Sequence, residues 1–189
     1  MANFKDSPIF STHDDYYTPK SAWEQIKHLI TQKFGNNATI LESFLLNSNE
    51  QSKKHLQELG FNVIGNKTID FLNEDHRPSK NDYDLICSNP PFQRIKSFKK
   101  RKDNLKYKCI KGLIDNDKPF IVLMNSTNMF QKWSMELFKG KDIKFIFPSK
   151  KINYDKYEPG GVKKMKGGKS CSFNSIYVCY KVLDKNEWI

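Results

Sequence analysis

Apolar positions recur along this chain with two periods. Ala22, Trp23, Ile26, Leu29 and Ile30 fall at helical spacing, which predicts a helix with one apolar face. Thr18 stands where an N-cap would open it, with Pro19 at the first helical position. Residues 38–46 (ATILESFLL) read instead as a buried strand that runs into a loop at Asn47-Ser48-Asn49. Residues 50–59 predict a second helix, closed by Gly60 where a left-handed residue is wanted. Residues 61–65 predict a second strand, Ile69-Asp70-Phe71 a very short third, and 83–88 a further apolar strand. The basic stretch 94–118 mixes loop and helix, and 119–125 (PFIVLMN) is a buried strand. Residues 128–138 carry Met129, Trp133, Leu137 and Phe138 on one helical side. Residues 143–147 and 173–180 are the last two strands, and the Gly/Lys-rich stretch 155–170 between them reads as a flexible loop by composition. No internal repeat is visible.

Short strands alternating with helices predict an α/β sheet with helices on both faces. The last two strands have no helix between them, so they are expected to form an antiparallel pair at the sheet edge. At 189 residues the chain suits one well-packed domain. Residues 1–15 read as a loose N-terminal arm and 16–189 as a single domain.

Charge changes this picture more than composition does. Residues 1–92 hold nine Lys/Arg against twelve Asp/Glu, a balance of −3, and residues 93–189 hold twenty-three against nine, a balance of +14. Such asymmetry points to a polyanionic partner, since nucleic acid rewards Lys and Arg through counterion release. No apolar run reaches membrane-span length and no signal-peptide core is present, so a soluble, intracellular, cytoplasmic protein is expected, with no membrane partner. Cys87, Cys109, Cys171 and Cys179 form no CxxC pair and have no histidine at zinc-ligand spacing, so they read as reduced thiols and no metal is expected. His13, His28, His55 and His76 fit no catalytic triad.

The chemistry is concentrated at Asn89-Pro90-Pro91-Phe92, directly behind the strand 83–88. In open α/β sheets, ligands bind beyond the C-terminal strand ends. Two prolines stop sheet pairing and fix the backbone, so the carbonyls of this turn point in set directions. Asn89 adds a side-chain carbonyl acceptor and Phe92 a flat apolar face. Together they suit an exocyclic amino group: two acceptors hold its hydrogens while positive charge builds on nitrogen, and the ring stacks on the base. In duplex DNA such a base must first be flipped out, at a cost of a few kcal/mol.

At these residues the sequence resembles the class I S-adenosylmethionine-dependent methyltransferases that act on amino nitrogens, above all DNA adenine-N6 methyltransferases of phage and large-virus type. The resemblance runs from about Tyr16 to Tyr180. It implies a Rossmann-like methyltransferase fold: a mostly parallel sheet with an antiparallel C-terminal strand and helices on both faces. It implies S-adenosylmethionine as cofactor and Asn89, Pro90, Pro91 and Phe92 as the catalytic motif. Tyr17, Thr18 and Pro19 look like the N-terminal cofactor segment, and Glu42 like the acid of the first cofactor motif, with Phe44 close behind. Asp70 and Phe71 look like the acidic–aromatic pair beside the cofactor's adenine, and Asn89 is shared with the cofactor site. Ile152-Asn153-Tyr154 and Ser172–Tyr177 are similar to the family's closing loop and strand. Two positions depart from the family pattern. Ser43–Asn49 contains no glycine, and Gly65-Asn66-Lys67 stands where an acid normally meets the ribose.

Arg94, Lys96, Lys99, Lys100, Arg101 and Lys102 begin two residues past Phe92, well placed to hold nucleic-acid phosphates. The stretch Lys163–Lys169 is a second basic candidate. The expectation is therefore methyl transfer to adenine N6 in DNA. The alternatives are an RNA base, or a methyltransferase-like domain that keeps nucleic-acid binding without the cofactor. No separate sequence-reading domain is visible, so a protein partner could supply specificity.

Overall fold

The computed structural model describes residues 16–45, 50–66, 70–91, 105–158, 161–163 and 173–189. The expected arm 1–15, Phe92, the basic run 94–102 and most of 163–169 lie outside the described residues.

The chain enters as strand β1 (Tyr16–Tyr17), followed by helix α1 (Lys20–Phe34), strand β2 (Thr39–Leu41), helix α2 (Gln51–Glu58) and strand β3 (Asn62–Ile64). Strand β4 (Leu85–Ser88), helix α3 (Leu105–Asp115), strand β5 (Phe120–Asn125), helix α4 (Lys132–Phe138) and strand β6 (Ile143–Phe147) come next. The short strands β7 (Asp155–Glu158) and β8 (Gly161–Lys163) then precede β9 (Ser175–Tyr180) and β10 (Glu187–Trp188). Seven strands form one sheet in the order β3-β2-β4-β5-β9-β6-β10. Strand β9 is antiparallel to both of its neighbours, and every other pair in this sheet is parallel.

Side chains alternate across the sheet, so each strand feeds two cores. Leu85, Cys87, Ile121, Leu123, Tyr177 and Cys179 pack on one face with Trp23, Ile26 and Ile30 of α1 and Leu56 of α2. Ile86, Phe120, Val122, Met124 and Val178 pack on the other with Ile110 and Leu113 of α3 and Trp133 of α4. The buried Tyr177 hydroxyl donates to the Ala22 carbonyl at 2.6 Å and ties β9 to α1. Covered strands of this kind read as continuous apolar runs, which is why β5 and β9 were legible.

Several expectations need correction. Thr18 does not cap α1: Pro19, in extended conformation, occupies the cap position, and no side chain caps the helix. Thr18 instead follows β1 directly, and His55 Nδ1 donates to its carbonyl at 3.1 Å. Asp70 and Phe71 are not strand but turn, since the Asp70 carboxylate accepts from Leu72 N at 3.1 Å and its carbonyl from Asn73 N at 2.9 Å. The stretch 155–170, expected as loop, begins with the antiparallel pair β7–β8, to which β1 adds a third strand. Backbone pairing at an edge needs no apolar face, so hydropathy gave no sign of it. The antiparallel pair β6–β9 forms as expected, but β9 lies inside the sheet and β10 adds the edge.

Candidate functional site

Strands β2, β4 and β5 are parallel, so their C-terminal ends open on one rim of the sheet. Glu42 follows β2 directly, and Ser88 is the last residue of β4, immediately before Asn89. These two rim positions meet. The Ser88 hydroxyl donates to Glu42 Oε1, which also accepts from Phe44 N at 3.2 Å. Glu42 Oε2 accepts from the Ser52 hydroxyl of α2 at 2.6 Å. One carboxylate thus ties the end of β2, the first turn of α2 and the threshold of the Asn89 turn.

Glu42 is only 2% exposed, and among the described residues no Lys or Arg forms an ion pair with it. Burial pushes its carboxyl up to about 7, although the hydrogen bonds from Ser52, Ser88 and Phe44 pull the other way. A buried acid poised near neutrality, without a cation of its own, marks a candidate site for a cationic ligand. Its neighbour Ser43 is equally buried, and the Ser43 hydroxyl has no hydrogen-bond partner among the described residues. A buried orphan hydroxyl beside a buried acid fits a polar, positively charged group.

The aromatic side of the rim is also built. Phe44 meets the buried Phe71 edge-on, with ring centroids 5.6 Å apart. Arg77 fixes Phe71 twice: its Nε donates to the Phe71 carbonyl at 2.8 Å, and its guanidinium lies 4.8 Å over the ring. Asp70 stays half-buried at the start of this turn. On the N-terminal side Tyr17 and Thr18 are buried and Pro19 half-buried, joined to α2 through His55. The other His55 nitrogen faces the Gln51 amide at 3.1 Å.

A glycine stands beside Glu42 on the neighbouring strand end. Gly65, just past β3, has φ +125°, and a Cβ there would stand 2.3 Å from the Glu42 carbonyl oxygen. The two backbones approach as only glycine permits. Leu45, 3% exposed, comes within 3.4 Å of the same Cβ position, so it packs over Gly65. Lys53 closes the turn by donating to the Gly65 carbonyl at 2.8 Å.

At the end of β4, Asn89 and Pro91 are half-buried and Pro90 is buried. The neighbouring rim is formed by Asn125, whose side chain accepts from Thr127 N at 3.0 Å, and by Ser126, whose N–H donates to Asn174 at 2.8 Å. Ile152 and Tyr154 are buried here, and the Tyr154 hydroxyl donates to the Ser175 hydroxyl at 2.7 Å. The expected loop and closing strand therefore do come together.

Among the described candidates, Glu42 is joined to the residue before Asn89, Phe44 meets Phe71, and Thr18 meets α2. Sequence reading missed the roles of Ser52, Ser88 and Arg77, and noted Gly65 only as part of a segment that departs from the family pattern. Of these only Gly65, a glycine at a strand end, carried a visible signal. Among the described residues no His/Cys/Asp/Glu cluster could hold a metal, and no helix is long and apolar enough to cross a membrane.

No protein-family model matches the chain, and neither does any curated protein. Solved structures do resemble it. A protein of Listeria monocytogenes assigned to the class I S-adenosylmethionine-dependent methyltransferases aligns with a TM-score of 0.51 at 11% identity, over 91% of this chain and 64% of its own. The hMettl16 catalytic domain, in complex with the MAT2A 3′UTR hairpin 1, aligns at 0.42 and 9% identity, over 90% and 72%. An rRNA methylase from Streptococcus thermophilus aligns at 0.38 and 10% identity, over 85% and 97%. The chain spans just under two thirds of the Listeria protein's length, at 64%. The likeness is one of fold: a Rossmann-like methyltransferase fold.

Proposed function

We propose that this chain, on its methyltransferase fold, transfers a methyl group from S-adenosylmethionine to an exocyclic amino nitrogen of a nucleobase, adenine N6 in DNA. The observation that carries the reading is the Glu42–Ser88 hydrogen bond, which joins a buried acid, without an ion pair among the described residues, to the residue before Asn89. This contact supports a reading in which a cationic donor sits beside a turn suited to an amine.

Glu42, Ser43, Phe44 and the Asp70–Phe71 turn would hold the cofactor, with Tyr17, Thr18 and Pro19 on its N-terminal side and Asn89 shared between cofactor and amine. When bound, S-adenosylmethionine supplies an electrophilic methyl group. The chain's own task is to present the nucleophile. The Asn89 side-chain carbonyl and the Pro90 carbonyl accept the two amine hydrogens, so nitrogen keeps its lone pair directed at the methyl. Pro90 and Pro91 keep these acceptors in place, and a low-dielectric rim strengthens them as charge develops on nitrogen. Phe92 would stack on the base, and Arg94, Lys96, Lys99, Lys100, Arg101 and Lys102 would hold phosphates.

Labelled-methyl transfer to DNA and to RNA, with wild type and Asn89→Ala, tests the reading. Incorporation into adenine N6 of DNA is expected, with a loss of at least about a hundredfold in the variant, since an acceptor aimed at developing charge is removed. Incorporation only into RNA would move the substrate; no incorporation into either at high enzyme concentration would defeat the enzymatic reading.

One observation favours a second reading, a methyltransferase-like nucleic-acid-binding domain without cofactor. Leu45 is buried over Gly65, where the family's glycine turn would leave open backbone. A rise in Tm with S-adenosylmethionine counts against that reading, because a ligand that binds only the folded state must stabilise it.

A further inference from the structure

Strands β6 and β10 run parallel to β4 and β5, so their C-terminal ends share the Asn89 rim. Aromatic rings gather on this part of the sheet. Phe138 of α4 meets Phe145 at 6.0 Å, Phe145 meets Phe147 at 6.3 Å, and Phe147 stacks on Trp188 at 4.5 Å and 24°. None of the four is buried, and Trp188 is 79% exposed. On the turn that follows β5, Phe130 is 73% exposed. A series of half-buried rings that ends on an exposed tryptophan, with a second exposed ring on the same rim, is unusual on a surface that meets only water. The attachment of β10 is firm: Asn186 accepts from Phe145 N at 2.9 Å, and Ile189 N donates to the Phe147 carbonyl at 3.1 Å. Trp188 is therefore held flat against Phe147.

The surrounding charge selects the occupant. Lys150 and Lys151 follow β6 on the rim, Lys132 lies two residues past Phe130, and all three are exposed. Residues 147–151, which leave the sheet at this rim, hold two lysines and no acid. Flat exposed rings among lysines suit unpaired bases on a phosphate backbone, because every base has a face to stack and every phosphate a charge to neutralise. A protein partner would call for fewer lysines around the rings.

We propose that the β5–β10 rim, with Phe130 and the Phe147–Trp188 pair as stacking platforms and Lys150 beside them, binds single-stranded nucleic acid. Strand β6 lies three strand spacings from β4, about 14 Å, and β10 about 19 Å. A strand with one base at Asn89 would reach these rings within a few nucleotides. The inference rests on the nucleic-acid part of the proposed function and extends it to an unpaired strand.

The test uses the full chain without cofactor, so a failure of methyl transfer does not touch it. Binding of a labelled twelve-nucleotide oligothymidylate is followed by anisotropy and by tryptophan quenching. Trp23 is fully buried and Trp133 is 7% exposed, so quenching reports mainly Trp188. Trp188→Ala is expected to weaken binding by about tenfold and Trp188→Tyr to restore most of it, as expected for loss and return of one stacked base. Circular dichroism checks that the variants fold. Binding with no quenching, unchanged affinity of Trp188→Ala, no recovery with tyrosine, tighter binding of the matching duplex, or no binding at all would each overturn the assignment.

Discussion

Glu42 sets a pH dependence that can be worked from the structure. In the unfolded chain its carboxyl has an ordinary value of 4.5, and in the folded chain burial raises it to about 7. The folded state therefore holds a proton that the unfolded chain has already released. A group raised on folding contributes its full stabilisation below the unfolded value and loses it as pH climbs through the folded one. Between pH 5 and pH 8 these two values remove about 2.5 kcal/mol of stability through this single group. Glu42→Gln keeps the shape and the polar contacts but cannot ionise. Its amide oxygen can accept from Phe44 N, and its amino group can donate to the Ser52 hydroxyl.

The assay is urea denaturation of both proteins at pH 5, 6, 7 and 8. Taken as wild type minus variant, the difference cancels the other titrating groups. It is expected to fall by about 2.5 kcal/mol over this range, which at a slope near ~2 kcal/mol/M is roughly 1 M in midpoint. The steep part lies between pH 5 and 7, and the variant gains on the wild type towards pH 8. A difference that stays level within about 0.5 kcal/mol would show that Glu42 ionises as an exposed carboxyl does, and the case for a desolvated acid at the rim would fail with it.

Four further predictions follow from neighbouring contacts. A cation bound beside Glu42 at pH 7 should expel up to about half a proton per site, seen as a buffer-dependent calorimetric enthalpy with S-adenosylmethionine; no buffer dependence would mean that the ligand does not sense Glu42. Ser88→Ala removes a buried hydroxyl from that carboxylate and should destabilise by about 1–3 kcal/mol while moving the Glu42 titration to higher pH, because the Ser88 bond lowers it. Gly65→Ala should lower Tm by roughly 10 °C, given a Cβ 2.3 Å from backbone at φ +125°, whereas Gly60→Ala, at φ +95° with nothing within 4 Å, should cost only about 1–2 kcal/mol; equal effects would disprove the close approach. Tyr177→Phe should cost about 1–2 kcal/mol by leaving the Ala22 carbonyl without its 2.6 Å donor, measurable as a shifted urea midpoint.

What could be read from the sequence followed burial. Strand β5 and strand β9 are covered on both faces, so their residues form unbroken apolar runs that mark them. Strands β7 and β8 draw on backbone pairing at an edge, and a polar run such as Asp155-Lys156-Tyr157-Glu158 leaves hydropathy nothing to detect. Asp70 and Phe71 look like strand because Phe71 is buried, yet the aspartate's bonds to the following N–H groups curl the chain into a turn. The acid Glu42 stood out as a charge in an apolar run. Its donors did not, because Ser52 lies ten residues away and Ser88 forty-six, and neither spacing carries a pattern.

The segment after Glu42 carries no glycine. In the methyltransferases that the sequence resembles, glycine after the acid lets the cofactor approach the backbone, a requirement distinct from the packing of two strand ends. Here a close approach is made between the Glu42 carbonyl and Gly65, which sits on the neighbouring strand end. Leu45 then fills the room over Gly65, so the segment after β2 is closed on the β3 side. On the β4 side the same segment meets Ser88 through Glu42, and among the described residues Glu42 has no ion pair and the Ser43 hydroxyl no partner. The Glu42 carboxylate is tied on this side to Ser88, the residue before Asn89, and on the other to Ser52 of α2. Any change of charge at Glu42 is therefore transmitted through one hydrogen bond to the residue that precedes the Asn89 turn.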